Sequence, residues 1–209
     1  MLEAQLCGQS ESHLTLKVDN TQLQVEAGKA YLSLQQAAAE AGFCLRIASG
    51  FRSYQRQAAI WQAKFDNLQH IPVPERLHEI LRWSALPGAS RHHWGTDMDI
   101  YDPVALGDAQ LKLEPEEYLQ GGPFSDLLVW LQLEAPRYGF FWPYGEDKGG
   151  IAAEPWHLSY QPVASRCLEQ LSPKVLKQAW QQQPPAGHEQ LLQHFDQLYN
   201  RYITNICSA

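Results

Sequence analysis

Apolar positions recur with two different periods along the chain. From His13 to Glu26 a loose alternation, HLTLKVDNTQLQVE, is broken by Asp19-Asn20 and predicts a short strand pair. From Lys29 to Ala41, apolar residues include pairs at helical spacing and Gly42 follows as a stop, which predicts a helix packed on the core. Phe43–Ile47 reads as a short buried strand. Tyr54 to Leu68 predicts a helix whose apolar face carries Ala58, Ile60, Trp61, Phe65 and Leu68. A second helical run follows from Glu75 to Trp83. Met98 to Asp102 reads as a strand ended by Pro103, and 104–122 as a polar insertion or lid loop. Phe124–Pro136 predicts a helix, Tyr138–Trp142 a strand, and Ile151–His157 a returning strand. From Val163 onward the pattern is mostly helical. A proline-containing linker at 181–187 precedes a last amphipathic helix, about His188 to Ile206.

A chain of 209 residues that is 44% hydrophobic suits one domain with a real core. The pattern divides it into a domain at 1–162 and a helical C-terminal extension at 163–209 packed on or beside it. A net charge of -7 and a pI near 5.6 leave no basic stripe for nucleic acid. Cys7, Cys44, Cys167 and Cys207 form no CxxC pair, so isolated thiols are expected in place of a disulfide framework. The N-terminus has no positive leader or apolar run, and no stretch approaches the roughly 20 apolar residues of a membrane span. The expectation is a soluble cytoplasmic protein, or a periplasmic one if a native leader was removed.

Candidate chemistry concentrates in two places. Ser90-Arg91-His92-His93-Trp94-Gly95-Thr96-Asp97-Met98-Asp99 brings imidazoles and carboxylates around a glycine, and Glu154-Pro155-Trp156-His157 adds another of each. Catalytic zinc takes about three protein ligands and keeps a position for water. His92, Asp99 and His157 would make such a set, one zinc ion per chain, and Gly95 would let the chain turn so that His92 and Asp99 face one point. Glu154 lies near enough to handle protons beside the ion. Asp97 shares the face of Asp99 and is either a rival ligand or a partner orienting a histidine. His93 is the rival of His92, and reads as a wall of the cleft. Arg52, at a strand-to-helix junction, is placed to stabilise an oxyanion.

The segments Ser49-Gly50-Phe51-Arg52-Ser53-Tyr54, Ser90-x-His92-x-x-Gly95-x-x-x-Asp99 and Glu154-x-Trp156-His157 resemble, in order, those of the VanY-type zinc D-Ala-D-Ala carboxypeptidases. That family belongs to the wider lysostaphin-like, VanX-like and hedgehog-like group. The resemblance spans roughly 30–160 and implies an α+β fold: a small antiparallel sheet with a zinc cleft, flanked by helices, with the C-terminal helices outside the match. It implies zinc on His92, Asp99 and His157, Glu154 as general base, and Arg52 at the scissile carbonyl. Gln57 and Ser90 match positions that help hold the terminal D-Ala in related enzymes. The family usually has a small residue where this chain has Asp97.

The resemblance further implies hydrolysis at the end of peptidoglycan stem peptides. A cytoplasmic setting favours an LD cut on recycled tetrapeptides over a DD cut on pentapeptides. The alternatives are a non-catalytic peptidoglycan- or protein-binding module of the same fold, which would need neither Glu154 nor Arg52, and an L-Ala-D-Glu endopeptidase, which would need an open groove.

Overall fold

A computed structural model describes residues 1–208. The chain opens with a short helix, α1 (Glu3–Leu6), and a hairpin of β1 (Leu14–Val18) and β2 (Thr21–Gln24). Asp19 turns the hairpin with φ 48°, a left-handed conformation that Asp tolerates better than most residues. Its carboxylate accepts the Ile47 N–H at 3.0 Å, which docks the hairpin beside the main sheet.

Helix α2 (Val25–Glu40) starts at Gln24, whose side chain accepts the N–H groups of Glu26 and Ala27. It buries Ala27, Tyr31, Leu34 and Ala38, three or four residues apart, as an amphipathic helix must. Strand β3 (Arg46–Ser49) follows. The expected strand at Phe43–Ile47 begins later, because the Cys44 N–H is taken by the Asp102 carboxylate at 2.8 Å and the ladder to the next strand opens at Arg46.

Ser53 caps α3 (Tyr54–Asn67), which buries Tyr54, Gln57 and Trp61. Helix α4 (Val73–Leu81) starts behind Pro72. Then come β4 (Asp97–Tyr101), the short α5 (Pro103–Leu106) capped by Asp102, α6 (Ser125–Glu134), the two-residue β5 (Phe140–Phe141) and β6 (His157–Tyr160). The expected strands at 138–142 and 151–157 shrink accordingly. Residues 135–138 form a turn of 3-10 helix, and 151–156 run as a loop that enters the ladder only at His157.

The C-terminal part is α7 (Gln161–Gln170), α8 (Pro173–Gln182), α9 (His188–Gln193) and α10 (Phe195–Tyr202). The single last helix expected from the pattern is thus two, divided at His194.

Strands β3-β4-β6-β5 form one antiparallel sheet, so the architecture is α+β as the sequence predicts. One face of the sheet carries Met98, Ile100, Leu158 and Phe140 against α2 and α6. A second core joins α3 and α4 to α7–α10 through Trp61, Leu77, Leu176, Trp180 and Phe195. Trp180 donates to the Pro87 carbonyl at 2.8 Å, and Trp61 to that of Ala186 at 3.0 Å, so the C-terminal helices are fastened to the segment leading into the first motif. Among the described residues no helix is long and apolar enough to cross a membrane.

Candidate active site

Alternation along two paired strands builds the floor. Met98, Ile100 and Leu158 point into the core, so Asp97, Asp99, His157 and Ser159 emerge on the opposite face. The register sets Asp99 against His157 and Asp97 against Ser159. All four are buried.

His92 reaches the same patch from a 3-10 turn, Arg91–Trp94, ended by Gly95 at φ 65°. A Cβ on Gly95 would press on Leu14 and sit 2.9 Å from the Gln24 nitrogen, whose N–H donates to the Gly95 carbonyl. Both the backbone angle and the crowding therefore call for glycine.

The two imidazoles face the centre through different nitrogens. His92 Nδ1 lies 2.7 Å from the Gly50 carbonyl oxygen, which can only accept, so Nδ1 carries the proton. Nε2 then turns its lone pair toward Asp99, 3.5 Å from Oδ2. His157 is reversed. Its Nε2 is bound to Asp97 Oδ1 at 3.1 Å, and its Nδ1 lies 3.1 Å from Glu154 Oε2 and 3.5 Å from Asp99 Oδ1.

One atom each from His92, Asp99 and His157 falls within 4.8 Å of the others. Asp99 Oδ1 is buried with no hydrogen-bond partner among the described residues. A buried, unsatisfied carboxylate oxygen beside two imidazole nitrogens is costly unless a cation sits among them. The set fits a divalent metal ion. In the metal-free protein burial pulls the His157 pKa down, but the hydrogen bonds to Asp97 and Glu154 and the charge of Asp99 outweigh it and raise it to about 9.

Asp97, left open between two roles, is turned away from the centre to hold His157. Arg91 Nε donates to it at 2.7 Å and Thr96 Oγ1 at 2.6 Å, while Arg91 Nη2 donates to Ser159 at 2.6 Å. Burial alone would raise the Asp97 pKa; Arg91 and His157 hold it well below the carboxylate range. This carboxylate–imidazole arrangement fixes which His157 nitrogen is free for a ligand.

His93 does not form a cleft wall. It is fully buried, donating from Nδ1 to the Arg52 carbonyl at 2.6 Å and accepting the Gly88 N–H at Nε2, 3.1 Å away. It clasps the backbone that presents Arg52. Burial drives its pKa down to about 3, so it stays neutral.

Arg52 faces the cleft with its guanidinium held by Gln57 Oε1 at 2.9 Å and Ser49 Oγ at 3.2 Å. Gln57 itself does not line the cleft. It is wholly buried, and its amide nitrogen donates to Ala85 O at 2.6 Å. Its side-chain oxygen bonds the Arg52 guanidinium, which is the group presented to the cleft. Ser90 lines the cleft beside His92, and Glu154 reaches it from the loop before β6.

The cleft is a cavity of about 600 Å³. Sequence reasoning missed several of its walls, Lys64 on α3, Trp83, Tyr144 and Trp156; another wall is residues 112–116. The last come from the expected insertion, which is anchored under the cleft edge by Tyr118 donating to the Ile100 carbonyl at 2.6 Å. Helical spacing could have found Lys64, seven residues from Gln57 and so on the same side of α3.

Known proteins resemble this chain in sequence and in fold. An uncharacterized protein of Haemophilus influenzae is 40% identical over 121 residues, covering 56% of this chain and 92% of the relative. A vancomycin-resistance D,D-pentapeptidase, VanY, solved in complex with Zn(II), superposes with TM-score 0.55 at 23% identity over 76% of this chain and 88% of that one. The LdcB LD-carboxypeptidase superposes with TM-score 0.52 at 27% identity over 75% and 68%. The model of the VanY family, described as D-alanyl-D-alanine carboxypeptidase, matches residues 20–163. The chain belongs to the VanY family and is a peptide-bond hydrolase of the carboxypeptidase type.

Proposed function

We propose that the protein is a zinc-dependent carboxypeptidase that removes the terminal D-alanine of peptidoglycan stem peptides, with the tetrapeptide (LD) bond preferred. The observation that carries this reading is the convergence of His92 Nε2, Asp99 and His157 Nδ1, with Glu154 beside them on the same cleft. Two neutral imidazoles and one carboxylate are a donor set suited to catalytic zinc, and the VanY structure with Zn(II) supports that choice of metal. Bound there, zinc supplies a more acidic water and an electrophile for the scissile carbonyl.

The chain's own residues do the rest. Glu154 takes the proton from the attacking water and delivers it to the departing amine, so one carboxylate serves as base and then acid. Arg52, preorganised by Gln57 and Ser49, faces the oxygen on which negative charge develops. Asp97 keeps His157 Nε2 protonated and its Nδ1 available. Retention of Glu154 and Arg52 in the cleft weighs against a purely binding role.

The LD preference draws support from the LD-carboxypeptidase neighbour. The DD reading is supported by the family description and the D,D-pentapeptidase neighbour. Mass spectrometry of tetrapeptide and pentapeptide stems after incubation with the zinc-loaded protein separates the two. Loss of one alanine from the tetrapeptide, absent with Glu154→Gln, is expected. Loss from the pentapeptide alone makes the protein a DD-carboxypeptidase, and an intact pair of peptides overturns the carboxypeptidase reading.

A further inference from the structure

The fixed charges of the cleft do not balance once a divalent ion is present. Arg91 and Asp97 neutralise each other, as do Lys112 and Glu114; Asp99, Glu154 and Glu116 then face Arg52 and Lys64, and a divalent metal tips the sum to positive by one charge. Neither cation of the α3 side has a carboxylate partner among the described residues. Arg52 is held by two neutral groups, and the Lys64 ammonium has no ion pair or hydrogen bond among the described residues. Lys64 is nonetheless half-buried. Burial pulls its pKa down, and the charge of Glu154 pulls it back up. A half-buried ammonium without an ion-pair partner favours an incoming anion.

We propose that Lys64 is a specificity residue, its ammonium pairing with the C-terminal carboxylate of the bound peptide. The inference rests on the carboxypeptidase reading above. Gln57 lies beneath the cleft surface, its amide bonded to Arg52 and Ala85. Arg52 is pinned at the floor, beside Ser49 and close to Asp99 and Glu154, where the scissile carbonyl lies. Lys64 stands three turns up α3, on the same side of the helix as Gln57 and nearer its end, so it meets the substrate beyond the bond that breaks. A free carboxylate there satisfies the one cation that the floor leaves over, and an amidated or extended C-terminus does not. Lys64 thereby makes the cleft select the end of a chain.

The test measures binding without turnover. Calorimetry on the zinc-loaded Glu154→Gln protein compares a tetrapeptide stem ending in free D-alanine with the same peptide ending in D-alaninamide. The free acid is expected to bind about tenfold more tightly. Adding Lys64→Met should erase that preference by weakening the acid alone, and Lys64→Arg should restore most of it. A preference that survives Lys64→Met overturns the proposal. So does an equal weakening of acid and amide, which would show Lys64 acting through its neighbours. A third peptide, amidated on the side chain of its third residue, guards the assignment: if that change and not the terminal amide removes the effect of Lys64→Met, the carboxylate is the wrong one and the proposal falls. Turnover by the Glu154-containing parent is scored separately, so a failed cleavage reading is not confused with a failed anchor.

Discussion

The floor of the cleft takes Asp97, Asp99 and His157 from two paired strands, whereas its wall takes Arg52 from the loop before α3 and Lys64 from one side of that helix. On the floor, strand register places every group, and burial is nearly complete. On the wall, side chains hold side chains: Gln57 and Ser49 grip Arg52, and His93 grips its carbonyl. The proposed mechanism assigns the chemistry to the floor. It assigns the holding and alignment of the peptide to the wall. Substitutions should separate along that line.

Glu154→Gln should break the comparison most sharply. It leaves the three metal-facing side chains in place, and kcat should fall by about 10²–10⁴-fold with zinc content unchanged by elemental analysis. Trp180→Ala, on the helical side, should cost about 3–5 kcal/mol of stability in urea titration, since it empties a wholly buried site and frees the Pro87 carbonyl. Asp97→Asn should weaken zinc binding about 10–100-fold, read by competition with a chelator, because His157 loses the partner that orients it.

The same pair sets a pH dependence in the metal-free protein. His157 is raised from its ordinary 6.5 to about 9 in the folded state. A raised pKa stabilises the fold fully below pH 6.5, and that stabilisation disappears as pH climbs through about 9. Urea midpoints of metal-free protein should fall across this window, and the fall should shrink in Asp97→Asn. The smallest effect belongs to His93→Phe. It should lower kcat/KM about tenfold by loosening Arg52, with zinc affinity unaltered, as steady-state kinetics and metal competition would show together.

The metal-facing set was legible because it depends on local features: a turn that needs Gly95, and a strand on which Asp97 and Asp99 share a face. What no local feature carries is the partner strand. Whether Asp97 binds metal or holds a histidine is settled by Asp99 lying opposite His157, and that register is a long-range fact. His92 and His93 show the same limit. They are neighbours in one 3-10 turn, yet one faces the centre and the other grips Arg52. Motif spacing says nothing about helix rotation, so it does not show that Gln57 sits beneath the cleft, on the buried stripe traced by Tyr54, Gln57 and Trp61. The strand expected at 151–157 dissolved into a loop because only His157 finds a ladder partner.

The bond from Trp180 to the Pro87 carbonyl has a consequence in time. During synthesis His92, Asp99 and His157 all leave the ribosome before Trp180 does. Until α8 follows, the segment that seats His93 against Arg52 lacks its clamp, since Gly88, the donor to His93, directly follows Pro87. A helix that lies beyond the residues 20–163 matched by the family model is thus the one that braces the backbone next to the His93–Arg52 clasp.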